Sequence, residues 1–348
     1  MHRFLVLVVA FSVACSGFRS SSANPPAATV ERTRSLLTAL AHDSMEGRRF
    51  GTPGETRAAR FIAARLREAG LQAGGDSGYF QRLPVAMTSR RTRLPGGEER
   101  VRTAPAMLPS FADLDTVPLE RRLTSANVLG VLRGADPALA SEVVIVGAHY
   151  DALGIRTPVN GDSIVNGADD DGSGVVAVME AARIVAAGPR PKRTILFAAF
   201  TGEESGIFGA RWYSQHPIVP LEKHAADLEV EMIGRPDSAA GGPGKAWLTG
   251  YERSTMGPTL AAAGLPVIAD PRPAMRFFER SDNIVLARLG VVAHTFSSYN
   301  MHTEYHTVND EVEFVDFDHM TAMINLLAKA VVTIANGPRL EWNPGGKP

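Results

Sequence analysis

Short apolar runs of strand length alternate along this chain with segments that have helical spacing of their apolar residues. The runs Val143–Ala148 and Thr194–Phe200 are almost continuously apolar, as expected for strands that are covered on both faces. Helical spacing occurs at Gly174–Ala187 and again at Phe317–Ala335. Such alternation predicts an α/β fold, specifically a three-layer helix–sheet–helix sandwich with a mixed, mostly parallel central sheet.

Two adjacent carboxylates follow one of these apolar runs. Glu203 and Glu204 come after Thr194–Phe200 and a Thr-Gly pair. In an open α/β sheet, ligands bind beyond the carboxyl ends of the strands. Because burying two unpaired like charges is costly in free energy, a bound metal ion would account for the pair.

Five residues at or near predicted strand ends carry side chains that bind metal ions. They are His149, Asp170, Glu204, Glu231 and His306. Two imidazoles and three carboxylates suit zinc or a similar divalent ion. If one carboxylate is shared, the set can hold two ions and leaves Glu203 free to act as a base. Taken singly, each residue also fits a structural role, such as a hydrogen-bonded histidine, a solvated turn or an acid at a sheet edge.

Six motifs occur in order along the chain: HYD, ADDDGSG, GEE, EMIG, SDN and YHTVND. Together they resemble the M28 family of zinc peptidases, which includes co-catalytic aminopeptidases, glutamate carboxypeptidases and glutaminyl cyclases. The resemblance covers most of the mature chain, since LAHDSMEGRRFGTPGE and GYFQ also look like the family's N-terminal region. It implies a zinc-peptidase-like fold and a zinc-dependent exopeptidase that acts on peptide substrates, most simply an aminopeptidase.

The resemblance also implies a role for each matching residue. The metal ligands would be His149 and Glu231 for one Zn²⁺ ion, Glu204 and His306 for a second, and Asp170 as the bridge between them. Asp151 would orient the ring of His149. Glu203 would be the general base, and Tyr305 would polarise the scissile carbonyl.

One ligand position departs from the family pattern. The EMIG motif usually begins with Asp, and Glu231 stands there in this chain. If the longer side chain points away, the site would hold one zinc ion, as glutaminyl cyclases do. The sequence therefore leaves two other functions open: a mono-zinc glutaminyl-peptide cyclase, and a catalytically silent binding module on the same fold. Retention of both histidines and of the Glu203-Glu204 pair disfavours the silent module.

Residues 1–23 have the features of a leader. A short positive start precedes the apolar stretch Phe4–Ala14, which is too short to span a bilayer. Cys15, the only cysteine, follows this stretch in a context similar to a bacterial lipoprotein cleavage box. Lipidation of Cys15 and plain cleavage near Ala23 are both consistent with the sequence. Either way we expect an exported protein that is periplasmic, anchored to the membrane as a lipoprotein, or secreted.

The rest of the chain is expected to form one unit. After a tether at 24–29, we expect a single zinc peptidase domain at 30–338 and a loose tail at 339–348. Residues 30–125 would be an N-terminal helical extension with an irregular segment of short strands and no protease-associated insert. The formal net charge of −1 gives no electrostatic reason to expect a nucleic-acid partner, and the oligomeric state is not predicted.

Further residues near the predicted site fit structural roles as well as functional ones. Phe277, Phe278, Tyr299 and Met301 fit an apolar specificity pocket, although core packing also accounts for the two phenylalanines. His294 is expected in the core of a strand, and His302 has no assigned role.

Overall fold

The computed structural model describes residues 26–93 and 97–348, so the predicted leader and Cys15 lie outside the described residues. Within these ranges the chain forms eight α-helices and 14 β-strands. The helices are α1 Val30–Leu40, α2 Pro53–Glu68, α3 Phe111–Asp115, α4 Gly174–Ala187, α5 Phe208–Gln215, α6 Met256–Ala262, α7 Asn283–Arg288 and α8 Phe317–Asn336. The strands are β1 Gln72–Ala73, β2 Phe80–Arg82, β3 Val85–Arg93, β4 Glu99–Met107, β5 Arg122–Leu123, β6 Ala126–Leu132, β7 Val143–His149, β8 Gly154–Val159, β9 Asp162–Val165, β10 Thr194–Phe200, β11 His224–Glu231, β12 Ala246–Leu248, β13 Val267–Ala269 and β14 Ala293–Ser297.

A nine-stranded mixed sheet forms the centre of the molecule. Its order is β1-β6-β10-β7-β11-β14-β12-β13, with β2 also paired to β6. The four central strands β10, β7, β11 and β14 run parallel to one another. Antiparallel pairs flank this parallel core on both sides. The carboxyl ends of the central strands therefore meet at one edge of the sheet.

Helices cover both faces of the sheet, which confirms the predicted three-layer α/β sandwich. Along β7, Val144 and Val146 pack into the apolar core shared with α1, α2, α4 and α8. Ile145 points to the opposite face and packs into a second core with α5 and α7. Burial on both faces explains why this strand is apolar at consecutive positions rather than at alternate ones.

Residues 85–123 form more regular structure than predicted. The strands β3 and β4 pair over nine residues each, and β5 adds a third strand to this small sheet. The prediction of only short strands was wrong because much of the hairpin is exposed, so the apolar alternation that marks a half-buried strand is missing.

Two other expectations need correction. The apolar residues of Met275–Phe278 predict a strand, but this segment forms two 3₁₀ turns, Pro273–Met275 and Phe277–Glu279. The C-terminal tail is not loose, because Trp342 pairs with Ser254 and donates its indole N–H to the carbonyl oxygen of Gly290.

The described part of the tether is also fixed to the domain. Ala28 is buried and donates its main-chain N–H to Oδ1 of Asn325 on α8. Across the described residues, every helix is too short or too polar to cross a lipid bilayer.

Candidate metal centre and active site

The parallel strands bring the predicted metal-binding side chains to one edge of the sheet. His149 is the last residue of β7, and Glu231 is the last residue of β11. Glu203 and Glu204 lie in the turn that follows β10. Since these three strands are adjacent and parallel, residues far apart in sequence meet at their carboxyl ends.

Two groups of possible ligands share one residue. His149, Asp170 and Glu231 form the first group, and Asp170, Glu204 and His306 form the second. In each group, one ligand atom per residue lies within 4.8 Å of the others. The structure therefore brings together all five predicted ligands, with Asp170 at the centre.

Asp170 lies between the two histidines. Its Oδ1 is 3.2 Å from Nε2 of His149, and its Oδ2 is 3.0 Å from Nε2 of His306. On the far side, Nε2 of His306 is also 3.0 Å from Oε1 of Glu204. The two carboxylate oxygens of Asp170 thus face different groups, as a bridging ligand requires.

Glu203 lies beside these donors but belongs to neither group. Burial in this acidic site raises the pKa of its carboxyl well above the ordinary value, although nearby His149 opposes the shift. Its main-chain N–H donates to Oδ1 of Asp151 at 3.0 Å, which fixes the turn. The carboxyl is therefore held near the ligands with a high affinity for a proton.

Asp151 contacts His149 differently from what the sequence implies. Nδ1 of His149 is 3.1 Å from the main-chain carbonyl oxygen of Asp151, while the nearer carboxylate oxygen is 3.8 Å away. The carboxylate instead accepts the N–H of Glu203. One residue thus connects the strand end at His149 to the turn that carries Glu203.

The second group contains an ion-paired histidine. Burial raises the pKa of Glu204 to about 7, and the nearby Asp170 adds to the shift. Burial disfavours the charged form of His306, but the bonds to Asp170 and Glu204 outweigh it and raise the pKa of His306 to about 10. The acids of this group strongly favour a positive charge between them.

The loop that carries Asp170 is held by Asp310, a residue to which the sequence assigned no role. Its two carboxylate oxygens accept the main-chain N–H groups of Asp169 and Asp170, each at 2.9 Å. Asp171 accepts from the N–H of Gly174 at the start of α4 and from Met232 after β11. Asp169, which accepts the N–H of Gly234, and Asp171 therefore support the loop and the helix start.

His302 takes part in the same support. Its Nε2 lies 3.1 Å from Oδ2 of Asp169, so this residue braces the aspartate loop from the segment after β14. His294, in contrast, is buried in the core and bonds to Ser254 and to the main chain of Thr249, as predicted.

Arg48 is a buried cation that the sequence did not mark as important. It donates to the carbonyl oxygens of Tyr150 and Asn166 at 2.7 and 2.6 Å, and to those of Gly167 and Leu40. These bonds join the segments on either side of the ligand loops. Its position in the EGRR motif was the available signal, but a buried arginine cannot be distinguished from an exposed one by sequence alone.

A small aromatic pocket opens beside the metal-binding residues. Trp247, Phe277, Tyr299 and Tyr305 line it, together with Arg280, whose guanidinium lies 5.1 Å from the centre of the Phe277 ring. Of the residues predicted for specificity, Phe278 packs instead in the second core, and Met301 does not line this pocket. The pocket walls touch Glu203 and both ligand groups, so a bound side chain would lie next to the reacting atoms.

The donor set fits two divalent zinc ions. Two imidazoles and three carboxylates are ligands that zinc accepts, and the shared carboxylate leaves two further ligands for each ion. Nε2 of His149 is buried and makes no hydrogen bond of acceptable geometry, although it points among carboxylates. A metal ligand accounts for such an atom better than a core histidine does, because buried polar atoms are normally paired.

Comparison with known proteins places the chain in a family. The model for peptidase family M28 matches residues 127–331, more than half of the chain. The chain belongs to peptidase family M28. This confirms the family expected from the six motifs. The matched segment contains every residue of both ligand groups and none of the N-terminal extension at 30–125.

Curated relatives of this M28 peptidase are longer than the segment they share with it. Leucine aminopeptidase 1 of Emericella nidulans is 30% identical over 215 residues, which are 53% of this chain and 50% of the relative. The chain spans about half or less of the length of the relatives that it matches first.

Solved structures show the same fold. An aminopeptidase from Aneurinibacillus sp. strain AM-1 superposes with a TM-score of 0.61 at 17% identity, over 91% of this chain and 96% of that one. The glutaminyl cyclase of Porphyromonas gingivalis superposes with a TM-score of 0.56 at 16% identity, over 87% and 97%. At these identities the likeness shows the fold alone, which both kinds of enzyme share.

In this M28 peptidase, Glu55 supports the GEE turn through Thr201, which directly precedes the turn. Glu55 lies in the first turn of α2, which Thr52 caps. The Glu55 carboxyl is fully buried, and it accepts hydrogen bonds from Ser125 and Thr201 and from the N–H of Gly51. Burial raises the pKa of Glu55 to about 8, although these bonds oppose the shift.

The high pKa of Glu55 predicts a pH dependence of stability. Between its ordinary value of 4.5 and about 8, the folded chain holds a proton that the unfolded chain has released. This contribution is complete below pH 4.5 and is lost as the pH rises through 8, by up to about 1.4 kcal/mol per pH unit. In Glu55→Gln, which cannot release a proton, the free energy of unfolding should fall less steeply over this window.

Urea titrations at several pH values measure the effect. Glu68→Gln, an exposed change on the same helix, is the matched control and should follow the slope of the unmodified protein. If the free energy of unfolding depends on pH in the same way in Glu55→Gln and in the unmodified protein, Glu55 is ionised in the folded state and the prediction is wrong.

Proposed function

We propose that this chain is an exported zinc aminopeptidase that removes N-terminal residues from peptides at a centre for two zinc ions. Asp170 carries the proposal, because it belongs to both ligand groups and turns one oxygen toward each. The names of relatives, which include zinc metalloproteases and a leucine aminopeptidase, support zinc and action at the amino end. His149 and Glu231 would hold one ion, and Glu204 and His306 the other.

Glu203 moves the protons in this proposal. Two bound zinc ions would supply a more acidic water and a polarised peptide carbonyl. Glu203 takes a proton from the attacking water and returns it to the amine of the departing peptide. Its raised pKa suits the first transfer, and its position outside both ligand groups leaves the carboxylate free.

Two other side chains orient the reaction. Asp151 accepts the N–H of Glu203 and contacts His149 through its carbonyl oxygen. It therefore fixes the position of the base relative to one metal ligand. Tyr305 forms a wall of the pocket, with its ring stacked on that of His306. From there its hydroxyl would donate to the scissile carbonyl oxygen.

Product analysis tests this function against its alternatives. Peptides that begin with Leu or with Gln are incubated with the zinc-loaded protein and followed by mass spectrometry. Release of the first residue supports the aminopeptidase. Formation of pyroglutamate with loss of ammonia would support the glutaminyl cyclase, and no product from either peptide would leave a silent binding module.

The proposal extends to chain organisation and location. We propose a leader at 1–23, a tether at 24–29, one catalytic domain at 30–338 and a C-terminal segment at 339–348 that is docked on the domain. The docked residues Ala28 and Trp342 support one folded unit between them.

Cell fractionation tests whether Cys15 is lipidated. If it is, Cys15→Ser should move the protein from the membrane fraction to the soluble fraction, since the change removes the site of attachment. Ser16→Ala is the neighbouring control and should stay with the membranes. An unmodified protein that is already soluble would show that the leader is cleaved without lipidation.

A further inference from the structure

A groove that contains four arginines lies against the candidate metal centre. Arg49, Arg90, Arg102 and Arg156 line it, and its volume is 520 Å³. Glu204 and Ser205, from the turn that follows β10, also line it. Glu204 also lines the aromatic pocket, so this predicted ligand is shared by that pocket and the arginine groove.

The β3–β4 hairpin places two of these arginines in direct opposition. Arg90 on β3 is paired in register with Arg102 on β4. Like charges at directly opposed positions destabilise a strand pair. On the other face of the same hairpin, Arg91 lies 3.8 Å from Glu99, so an acid balances that face only.

The groove arginines lack acidic partners within the described part of the chain. None of the four has a carboxylate oxygen within 4.0 Å there, and Arg156 donates only to the main-chain oxygen of Leu153. Two other arginines of the domain are paired with acids, Arg272 with Asp237 and Arg235 with Glu304.

The fold also packs Arg49 closely into this cluster. Gly154, at a φ of +73°, leaves room for it, since a Cβ atom there would lie 2.5 Å from Cβ of Arg49. Burial lowers the pKa of Arg49, and the nearby Arg156 and Arg102 lower it further. The chain as a whole has a formal net charge of −1, so this positive groove is a local feature.

We propose that the arginine groove binds the part of the peptide substrate that follows the cleaved bond, and that it selects for carboxylates there. The inference rests on the proposed function. An enzyme that removes one residue holds that residue in a closed pocket and lets the rest of the chain leave on the other side. The aromatic pocket, with a volume of 70 Å³, would hold the residue that is removed, and the larger arginine groove would hold the rest of the peptide. Arginine pairs well with carboxylates through its forked donors.

The carboxylates could belong to acidic side chains or to the C-terminus of a short peptide. Leu-Asp-Asp-Ala-amide is compared with Leu-Ala-Ala-Ala-amide for the first source, and Leu-Ala with Leu-Ala-amide for the second. Each rate is normalised to the turnover of Leu-p-nitroanilide by the same preparation. In at least one comparison we expect the acidic substrate to have a kcat/KM about 10-fold higher or more at low salt. The ratio should shrink toward one at high ionic strength.

Variants that remove two arginines from one face of the β3–β4 hairpin or from the other test whether the groove face causes the preference. The double variant Arg90→Gln/Arg102→Gln should lose most of the preference for the acidic substrate. Arg91→Gln/Arg93→Gln removes the same charge from the other face and should keep the preference. Equal kcat/KM values for acidic and neutral substrates in the unmodified protein, or equal losses in both double variants, would overturn the proposal.

A binding measurement keeps the test independent of turnover. Calorimetry with the Glu203→Gln variant should show tighter binding of the Leu-Asp-Asp peptide than of the Leu-Ala-Ala peptide. If no peptide is cleaved but this difference is found, the proposed function fails and the groove's selectivity stands. Tight binding of heparin without any preference between the two peptides would make the groove a polysaccharide surface and would also overturn the proposal.

Discussion

Replacement of Glu203 by glutamine is expected to lower kcat for peptide hydrolysis by about 10³-fold, within the usual range for loss of a general base. Glutamine keeps the shape of the side chain but cannot accept the proton of the attacking water. Because Glu203 belongs to neither ligand group, the zinc content should not change. The main-chain bond to Asp151 is also retained, so the turn should keep its structure.

Steady-state kinetics and elemental analysis on the same sample measure both expectations. Glu222→Gln, an exposed acid before β11, is the matched control and should leave kcat and zinc content as they were. A kcat within tenfold of the unmodified protein would remove Glu203 from the mechanism. Loss of zinc together with activity would show that Glu203 is a ligand instead of the base.

Replacement of Asp170 by asparagine is expected to remove both zinc ions and to abolish turnover. Each oxygen of Asp170 faces a different histidine, and its charge serves both groups. Asparagine offers one neutral oxygen in place of a bridging carboxylate. The main-chain bonds to Asp310 are independent of the Asp170 side chain, so the loop itself should remain in place.

Comparison with Glu231→Ala separates a bridge from a terminal ligand. Glu231 belongs to one group only, so this variant should retain about one zinc ion per chain. Asp162→Asn, an exposed aspartate on β9, should retain both ions. Zinc content that is unchanged in Glu231→Ala would exclude it as a ligand, and two ions retained in Asp170→Asn would exclude the bridge.

The central sheet and the ligand groups could be predicted because short segments of the sequence mark both the buried strands and the polar residues at their ends. A strand buried on both faces must be apolar at consecutive positions, and a polar residue that follows it lies at the strand end. His149 and Glu204 were found in this way. The parallel arrangement of β10, β7 and β11 then places these ends together. Glu231 shows that the longer side chain still reaches the first group.

The supports of the site could not be predicted, because their roles depend on contacts between distant segments. Arg48 and Glu55 are ordinary charged residues in sequence, and only the packing of the N-terminal segment against the rest of the domain buries them. The arginine groove has the same origin. Arg49, Arg90 and Arg156 come from three separate segments of the sequence, and they line one groove with Ser205 only in the folded chain.

The most direct test of the two-metal peptidase is the zinc content of the purified mature protein, measured on the sample that is assayed with Leu-p-nitroanilide. The geometry of Asp170 predicts two zinc ions per chain, turnover that is lost when a chelator removes them, and recovery when zinc is returned. Full turnover in protein freed of metal would contradict this account, as would protein that binds no zinc on reconstitution.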